Sequence, residues 1–352
     1  MRSADVATPF ALAAGLVAAT YAYFLLFAQF AFLELAAAVA PDRVPLLLAA
    51  QGGLGIAGSL AAGRHSSDRA LRLVGIGLGL GGLAALLAGQ AGSVGLLAVS
   101  AAATGFGVGL ATVALAAELR RLAGPRLGQA IGLGTGLGYA LCSFPAVFEA
   151  GARAQSLVAA ALAAAGAGIA LVPLRRGTGA PPPPAGPPPV RTALGWMLGF
   201  AALVTLDSAA FYIIQHSAEM KAAAWSGAAR QHAVAGVHLA AALAAGRMLD
   251  AGRIRLVSAA ALGMLVLACL LLARPAGWHS LLYAAGVSLY STALVFVPAR
   301  AVRPGFAALF YITCGWLASG LGLALAQGRA HVPGALVASL AALAALGLAV
   351  TR

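Results

Sequence analysis

The stretch Arg175-Arg-Gly-Thr-Gly-Ala180-Pro-Pro-Pro-Pro-Ala-Gly-Pro-Pro-Pro-Val190-Arg191 lies at the midpoint of a 352-residue chain. Proline has no amide donor and its ring clashes with the preceding turn, so this stretch is expected as an extended polyproline spacer and not as helix. Outward from it, both flanks are apolar. The chain is 62% hydrophobic and 9% charged, against about 45–50% and about 25% in soluble domains. Apolar runs bounded by charge or proline fall near 10–33, 44–63, 73–90, 93–117, 127–148 and 154–174 before the spacer. After it they fall near 193–215, 232–249, 256–273, 279–297, 305–327 and 333–350. Each is close to the ~20 residues that a helix needs to cross a bilayer. The expected architecture is therefore an all-α integral membrane protein with twelve transmembrane helices in two six-helix bundles, residues 1–174 and 193–352, joined by a cytoplasmic linker at 175–192. Twelve such helices use roughly 240 residues, which leaves no room for a sizeable water-soluble domain and excludes a soluble enzyme. The first span has an apolar run too long for the core of a signal peptide and is read as a membrane helix.

The net charge of +13 does not indicate a nucleic-acid partner, because the basic residues are scattered in ones to threes between apolar runs. They read as topology instead. With the N-terminus inside, the inward segments carry 16 basic residues and the outward segments 6, the asymmetry expected when both termini are cytoplasmic. A bacterial inner membrane is the expected location, with the lipid bilayer as surroundings and a monomer as the working unit. Cys142, Cys269 and Cys314 stand singly inside apolar runs, which argues against a disulfide framework or a zinc site. No cofactor is expected.

The two halves repeat. A shift of 183 residues lays Gly63-Arg64 on Gly246-Arg247 and Arg72 on Arg255, each where a second span ends and a third begins. The loop Gly246-Arg-Met-Leu-Asp250-Ala-Gly252-Arg253-Ile-Arg255, with six plus six helices around a central linker, resembles the major facilitator superfamily and its signature loop. The first-half copy, Gly63-Arg64-His-Ser-Ser-Asp68-Arg69-Ala-Leu-Arg72, lacks the second glycine and has its Asp displaced. The Gly-Pro signature of the antiporters' fifth helix is missing; Gly128, Gly132, Gly136 and Gly138 stand there instead. The resemblance implies a secondary transporter working by alternating access. Such a loop makes physical sense as a latch: an Asp near the N-terminus of the following helix meets a favourable dipole, and Arg247, Arg253 and Arg255 pair across the cytoplasmic face. The alternative is a set of solvated positive-inside residues.

Ionisable groups deep in a bilayer are costly and point to function. Of nine acids, Asp207 is the one well inside a span, while Glu34, Glu118 and Glu149 sit at expected span ends. Asp207 lies about 12 Å from the outer end of the seventh span and His238 about 9 Å into the eighth, at 1.5 Å per residue. The two can therefore meet at one depth, either as a proton-coupling pair or as a static bond between helices. The resemblance further implies a central cavity lined by helices 1, 4, 7 and 10. Its polar residues here are Tyr21 and Gln29, Thr104 and Thr112, Tyr212 and Gln215, and Tyr283, Ser288, Tyr290, Ser291 and Thr292. Such a lining suits a small polar solute.

At the outer mouth, His216 and Met220 are four apart, with His232 close behind. Imidazole with thioether favours cuprous ion, and the pair resembles the His-x-x-x-Met pairs of copper-importing members of the superfamily. A transition-metal importer is thus the second reading. A third is a non-transporting relative that assists assembly of a membrane complex, favoured by the degraded first loop and the scarcity of buried charge. The glycine runs at 52–58, 75–81 and 105–109 lack the Lys-Ser/Thr of a phosphate loop and are expected to let helices approach closely.

Overall fold

The computed structural model describes residues 4–65, 69–171, 189–272, 278–301 and 303–351. The polyproline spacer lies outside the described residues except for its last positions, and so does Asp68. With no water in a bilayer core, every backbone amide and carbonyl must find a partner within the chain. Helix answers that requirement locally, and the described residues are dominated by long helices.

The first, α1, is a continuous rod made of Ala4–Tyr23, a π-helical stretch Phe24–Ala31, and Phe32–Val39. It is followed by α2 (Val44–Gly63), α3 (Ala70–Gly89), α4 (Val94–Ala123), α5 (Leu127–Cys142) and α6 (Ala152–Leu171). After the spacer come α7 (Val190–His216), α8 (Ala228–Asp250), α9 (Ile254–Leu271) and α10 (Trp278–Ala301). Next is α11, made of Pro304–Phe310, a π-helical Tyr311–Leu317 and Ala318–Ala326, and last α12 (Gly334–Val350). Among the described residues, ten helices are long and apolar enough to cross a membrane. One of them, Val94–Cys142, turns between α4 and α5 at Gly124, whose φ of 57° is left-handed backbone that favours glycine. Leu46, Leu60, Ile76, Leu83, Leu267 and Leu346 are exposed around the perimeter, as a lipid-facing belt requires.

The apolar run of the fourth span ends near 117, but α4 continues to Ala123. Glu118 is therefore not at a span end. It is buried inside the helix and paired with Arg121 one turn on. The fifth span also ends sooner than expected, at Cys142, with a separate short helix at Pro145–Phe148.

Glycine sets the distances between helices. A Cβ at Gly105 or Gly109 of α4 would fall on the carbonyls of Gln51 or Gly55 in α2, and one at Gly77 of α3 would meet the Gly107 carbonyl in α4. The same device joins the two sides of the spacer: Gly128 of α5 faces Gly246 of α8 so closely that a Cβ on either would strike the other's carbonyl. Gly132 stands likewise against the Ala242 carbonyl, and a Cβ at Gly63 of α2 would lie 2.7 Å from that of Ala308 in α11. By contrast, Gly236, earlier in α8, has open space around it. Overpacking a helix seam costs about 1–3 kcal/mol. Gly246→Ala is expected to lower the melting midpoint of the detergent-solubilised protein by several degrees, whereas Gly236→Ala in the same helix does not lower it.

Candidate functional site

A cavity of about 620 Å³ lies between the helices before the spacer and those after it. That volume is the size of a small-molecule site. Asp207 projects into it from α7, half-buried. Both of its carboxylate oxygens are held from α10: Tyr283 Oη donates to Oδ1 at 2.5 Å and Tyr290 Oη donates to Oδ2. The tyrosines are seven residues apart, two helical turns, so α10 presents both on one face.

His238 is not bonded to Asp207. Its Nδ1 pairs with Ser288 Oγ at 2.7 Å, and its ring stacks on Tyr139 of α5 at 4.5 Å between centroids. The expected direct pair of carboxylate and imidazole is thus replaced by two clusters meeting on α10. The residue after Tyr290 completes the link: the Ser291 hydroxyl lies 3.0 Å from Tyr139 Oη, and its carbonyl accepts from Tyr21 Oη at 3.0 Å. Helix α10 therefore touches Asp207 with one residue and reaches α1 and α5 with the next.

Of the residues expected in the cavity, Tyr21, Gln29, Thr112, Tyr212, Gln215, Tyr283, Tyr290 and Ser291 line it. Thr104, Ser288 and Thr292 do not. Thr104 is buried behind α1, where it accepts from Tyr23 Oη at 3.3 Å. Ser288 is taken by His238, and Thr292 donates back to the Ser288 carbonyl at 2.7 Å. The missed residues are Tyr139, Gln51 and Gln231, together with Tyr311, Trp316 and Ser319 of α11. A signal for Tyr139 existed in its run Gly-Thr-Gly-Leu-Gly-Tyr139, where one large polar-tipped ring stands among small residues.

The cavity reaches toward one end of the bundle, where Pro41, Phe148, His216, Trp225 and Gln327 line it. Between α2 and α11 the seam holds at Gly63 and Ala308 and again where Trp316 Nε1 donates to Ser59 Oγ at 3.2 Å. Beyond that, Leu48 and Gly52 on one side and Ser319 and Leu323 on the other face the cavity. At the same end, α7 stops at His216, and Ser217 is extended and caps a new helix, Ala218–Trp225, by accepting from Met220 N at 3.3 Å. His216 and Met220 therefore do not share one helical face, contrary to the spacing argument. His216 Nδ1 is engaged by the Tyr212 carbonyl and His232 Nδ1 by that of Ala228. Among the described residues there is no group of three or more His, Cys, Asp or Glu that could hold a metal ion.

The opposite end is closed. Asp250, the last residue of α8, accepts from the backbone N–H of Gly128 at 2.6 Å and of Gln129 at 3.0 Å, in the first turn of α5. Those amides have no intrahelical acceptor and carry the positive end of the helix dipole. The expected dipole partner was the following helix; the actual one is α5, from across the spacer, brought within reach by the Gly128–Gly246 contact. Gly252, at φ 76°, then turns the chain into α9. Arg255 donates to the Thr351 carbonyl, and Arg120 Nη1 donates to that of Arg300 at 3.0 Å, again across the spacer. Arg64, Arg72, Arg247 and Arg253 are exposed at this end.

No family model matches the chain, and no curated protein matches it in sequence. Solved structures match it in fold. The human organic anion transporter MFSD10 (TETRAN) superposes with a TM-score of 0.60 at 15% identity over 100% of both chains. FucP, a major facilitator superfamily transporter in the outward conformation, superposes with a TM-score of 0.63 at 12% identity over 99% of both. The chain has the major facilitator superfamily fold. At such identities the likeness is one of fold, and with the ten apolar helices it makes this an integral membrane protein. In a major facilitator fold, the Asp250 contact joins the two sides of the spacer at one end only. Removing it is expected to release that end. With spin labels at positions 126 and 251, Asp250→Ala shifts the distance distribution to longer values, by an equilibrium change of about 1–2 kcal/mol for a charge at a helix terminus.

Proposed function

We propose that the chain is a secondary active transporter that moves a small solute by alternating access and couples the movement to protons at Asp207. The observation that carries this reading is the one-ended cavity: about 620 Å³ between the two sides of the spacer, closed at one end by the Asp250 latch and holding one acidic side chain. In this reading α4 and α5 cross separately and α12 crosses as well. That gives twelve passages in two six-helix halves, 1–174 and 193–352, joined by the linker at 175–192. The halves rock about the cavity, the glycine seams acting as the surfaces that part and close.

The latched end is assigned to the cytoplasm, because the basic residues concentrate there. Both termini are then cytoplasmic, in an inner membrane of the bacterial type. The cavity then faces outward, in keeping with the outward conformation of FucP.

Asp207 suits proton exchange for a physical reason. A carboxylate within a membrane is costly as a charge, and two phenol donors offset that cost through charge-assisted hydrogen bonds. Protonation removes the charge, weakens the hold of Tyr283 and Tyr290, and so frees α10, whose Ser291 ties to Tyr21 and Tyr139. The proton is thereby linked to a contact between halves. His238, stacked and bonded to Ser288, holds Tyr139 in place for that contact. An assembly factor without transport has no use for a cavity with a carboxylate held so specifically. The metal-import reading loses its spacing argument at Ser217.

Uptake into proteoliposomes tests the proposal. The wild-type chain is expected to accumulate solute under an imposed proton gradient and to lose that accumulation when the gradient is collapsed. Asp207→Asn is expected to lose gradient-driven accumulation by at least tenfold. Undiminished gradient-driven uptake by Asp207→Asn would refute coupling at this residue.

A further inference from the structure

The cavity's chemistry narrows what it carries. Asp207 is the only Asp, Glu, Lys or Arg among its lining residues, so the site has an acid and no fixed cation. An anionic solute would enter an apolar membrane cavity with no Arg or Lys to meet it, an unpaired buried charge. A polyol is served only in part, because several of the lining polar groups already have partners while Gln51 Oε1 and Gln231 Oε1 stand open as acceptors. Thr20 and Thr112 donate back to their own helix carbonyls, Ser208 pairs with Ser319, and Gln215 donates to the Gln29 carbonyl. A divalent metal ion would need several oxygen ligands, yet the wall has one carboxylate. Cuprous ion would need sulfur or imidazole, and the wall's Cys142, His216 and His238 are each already bonded, to the Ala22 carbonyl, the Tyr212 carbonyl and Ser288 Oγ.

What remains abundant is aromatic surface. Rings from α1, α5, α7, α10 and α11 face the cavity. Tyr139, Tyr283 and Tyr290 surround Asp207, and toward the mouth Phe30 packs edge-on against Phe211 and Trp225. The faces of such rings attract cations, the more so away from water. Bonded to Tyr283 and Tyr290, each Asp207 oxygen keeps a second lone pair for a bound charge.

We propose that the cavity takes a hydrophobic organic monocation, its charge at Asp207 and its apolar body against the aromatic wall. The proposal deepens the transporter reading and rests on it for the claim that this cavity is the substrate site. It also supplies a reason for proton coupling: proton and cation occupy the same carboxylate, so one leaves when the other arrives. The aromatic wall gives affinity without a fixed pattern of hydrogen bonds, so the site selects for charge and bulk more than for a particular functional group.

Two ions of matched size and opposite charge test this. Tetraphenylphosphonium and tetraphenylborate are each measured by equilibrium dialysis against nanodiscs carrying the full chain, with empty nanodiscs subtracted. The expected result is saturable binding of the phosphonium at one per chain, at least tenfold tighter than the borate, and at least tenfold weaker in Asp207→Asn. Equal binding of the two ions, preference for the borate, or no saturable binding of the phosphonium overturns the proposal. So does undiminished binding of the phosphonium to a folded Asp207→Asn. The comparison of the two ions on the wild-type chain needs no variant, so a misfolded Asp207→Asn does not leave the question open. Counterflow in proteoliposomes separates the two claims: phosphonium bound but never exchanged removes transport and leaves the ligand class standing. Gradient-driven uptake of some other solute without phosphonium binding does the reverse.

Discussion

Asp250 places a carboxylate on the bare amides that open α5, and much of the molecule's shape follows from that contact. A helix N-terminus inside a membrane protein has donors that nothing in its own helix satisfies. Here the acceptor comes from the other side of the polyproline spacer. It can arrive only because Gly128 and Gly246 let two backbones touch; any side chain at either position would hold the acid away. The seam of α2 and α11, at Gly63 and Ala308, and the Arg120 bond to the Arg300 carbonyl close the same end. These contacts close that end of the cavity, while at the other end the two sides of the spacer meet at Gln29 and Gln215 and at Glu149 and Gln231 beside the cavity mouth.

The second constraint is the carboxylate in the cavity. Asp207 stays acceptable there because two tyrosines of α10 donate to it. Those tyrosines share a helix with Ser291, which bonds to α1 and α5. Tyr290, on the carboxylate, is thus one peptide bond away from Ser291, which joins residues from the other side of the spacer. Helix α10 thus stands between the carboxylate and the bonds to α1 and α5.

The helical, membrane-spanning class was legible in composition and in the spacing of apolar runs, because the bilayer leaves little choice of backbone structure. The glycine runs were legible as close-approach residues only in part: Gly55, Gly58, Gly77, Gly105 and Gly109 meet a neighbouring helix, whereas Gly52, Gly53 and Gly79 have open space around them. Asp207 stood out as an acid deep in a span. What the sequence did not show is who meets whom. Periodicity cannot say that the Asp250 dipole partner is α5 instead of α9, since that depends on tertiary packing. It cannot say that Asp207 is held by tyrosines and not by His238, because depth along two helices does not fix their rotation. The π-helical stretches at Phe24–Ala31 and Tyr311–Leu317, both beside the cavity, left no mark that sequence reasoning used. The His216 and Met220 spacing failed because a helix ended where an unbroken one was assumed.

In the proposed cycle, the end near Gly63 and Ala308 opens and closes as a working motion and is not a fixed join. A disulfide between cysteines at these two positions tests it most directly. The Cβ positions are 2.7 Å apart and need relax by only about 1 Å to reach disulfide geometry. Uptake by Gly63→Cys/Ala308→Cys chains in proteoliposomes is expected to stop on oxidation and to return on reduction. Uptake that continues with the cross-link fully formed would contradict the account.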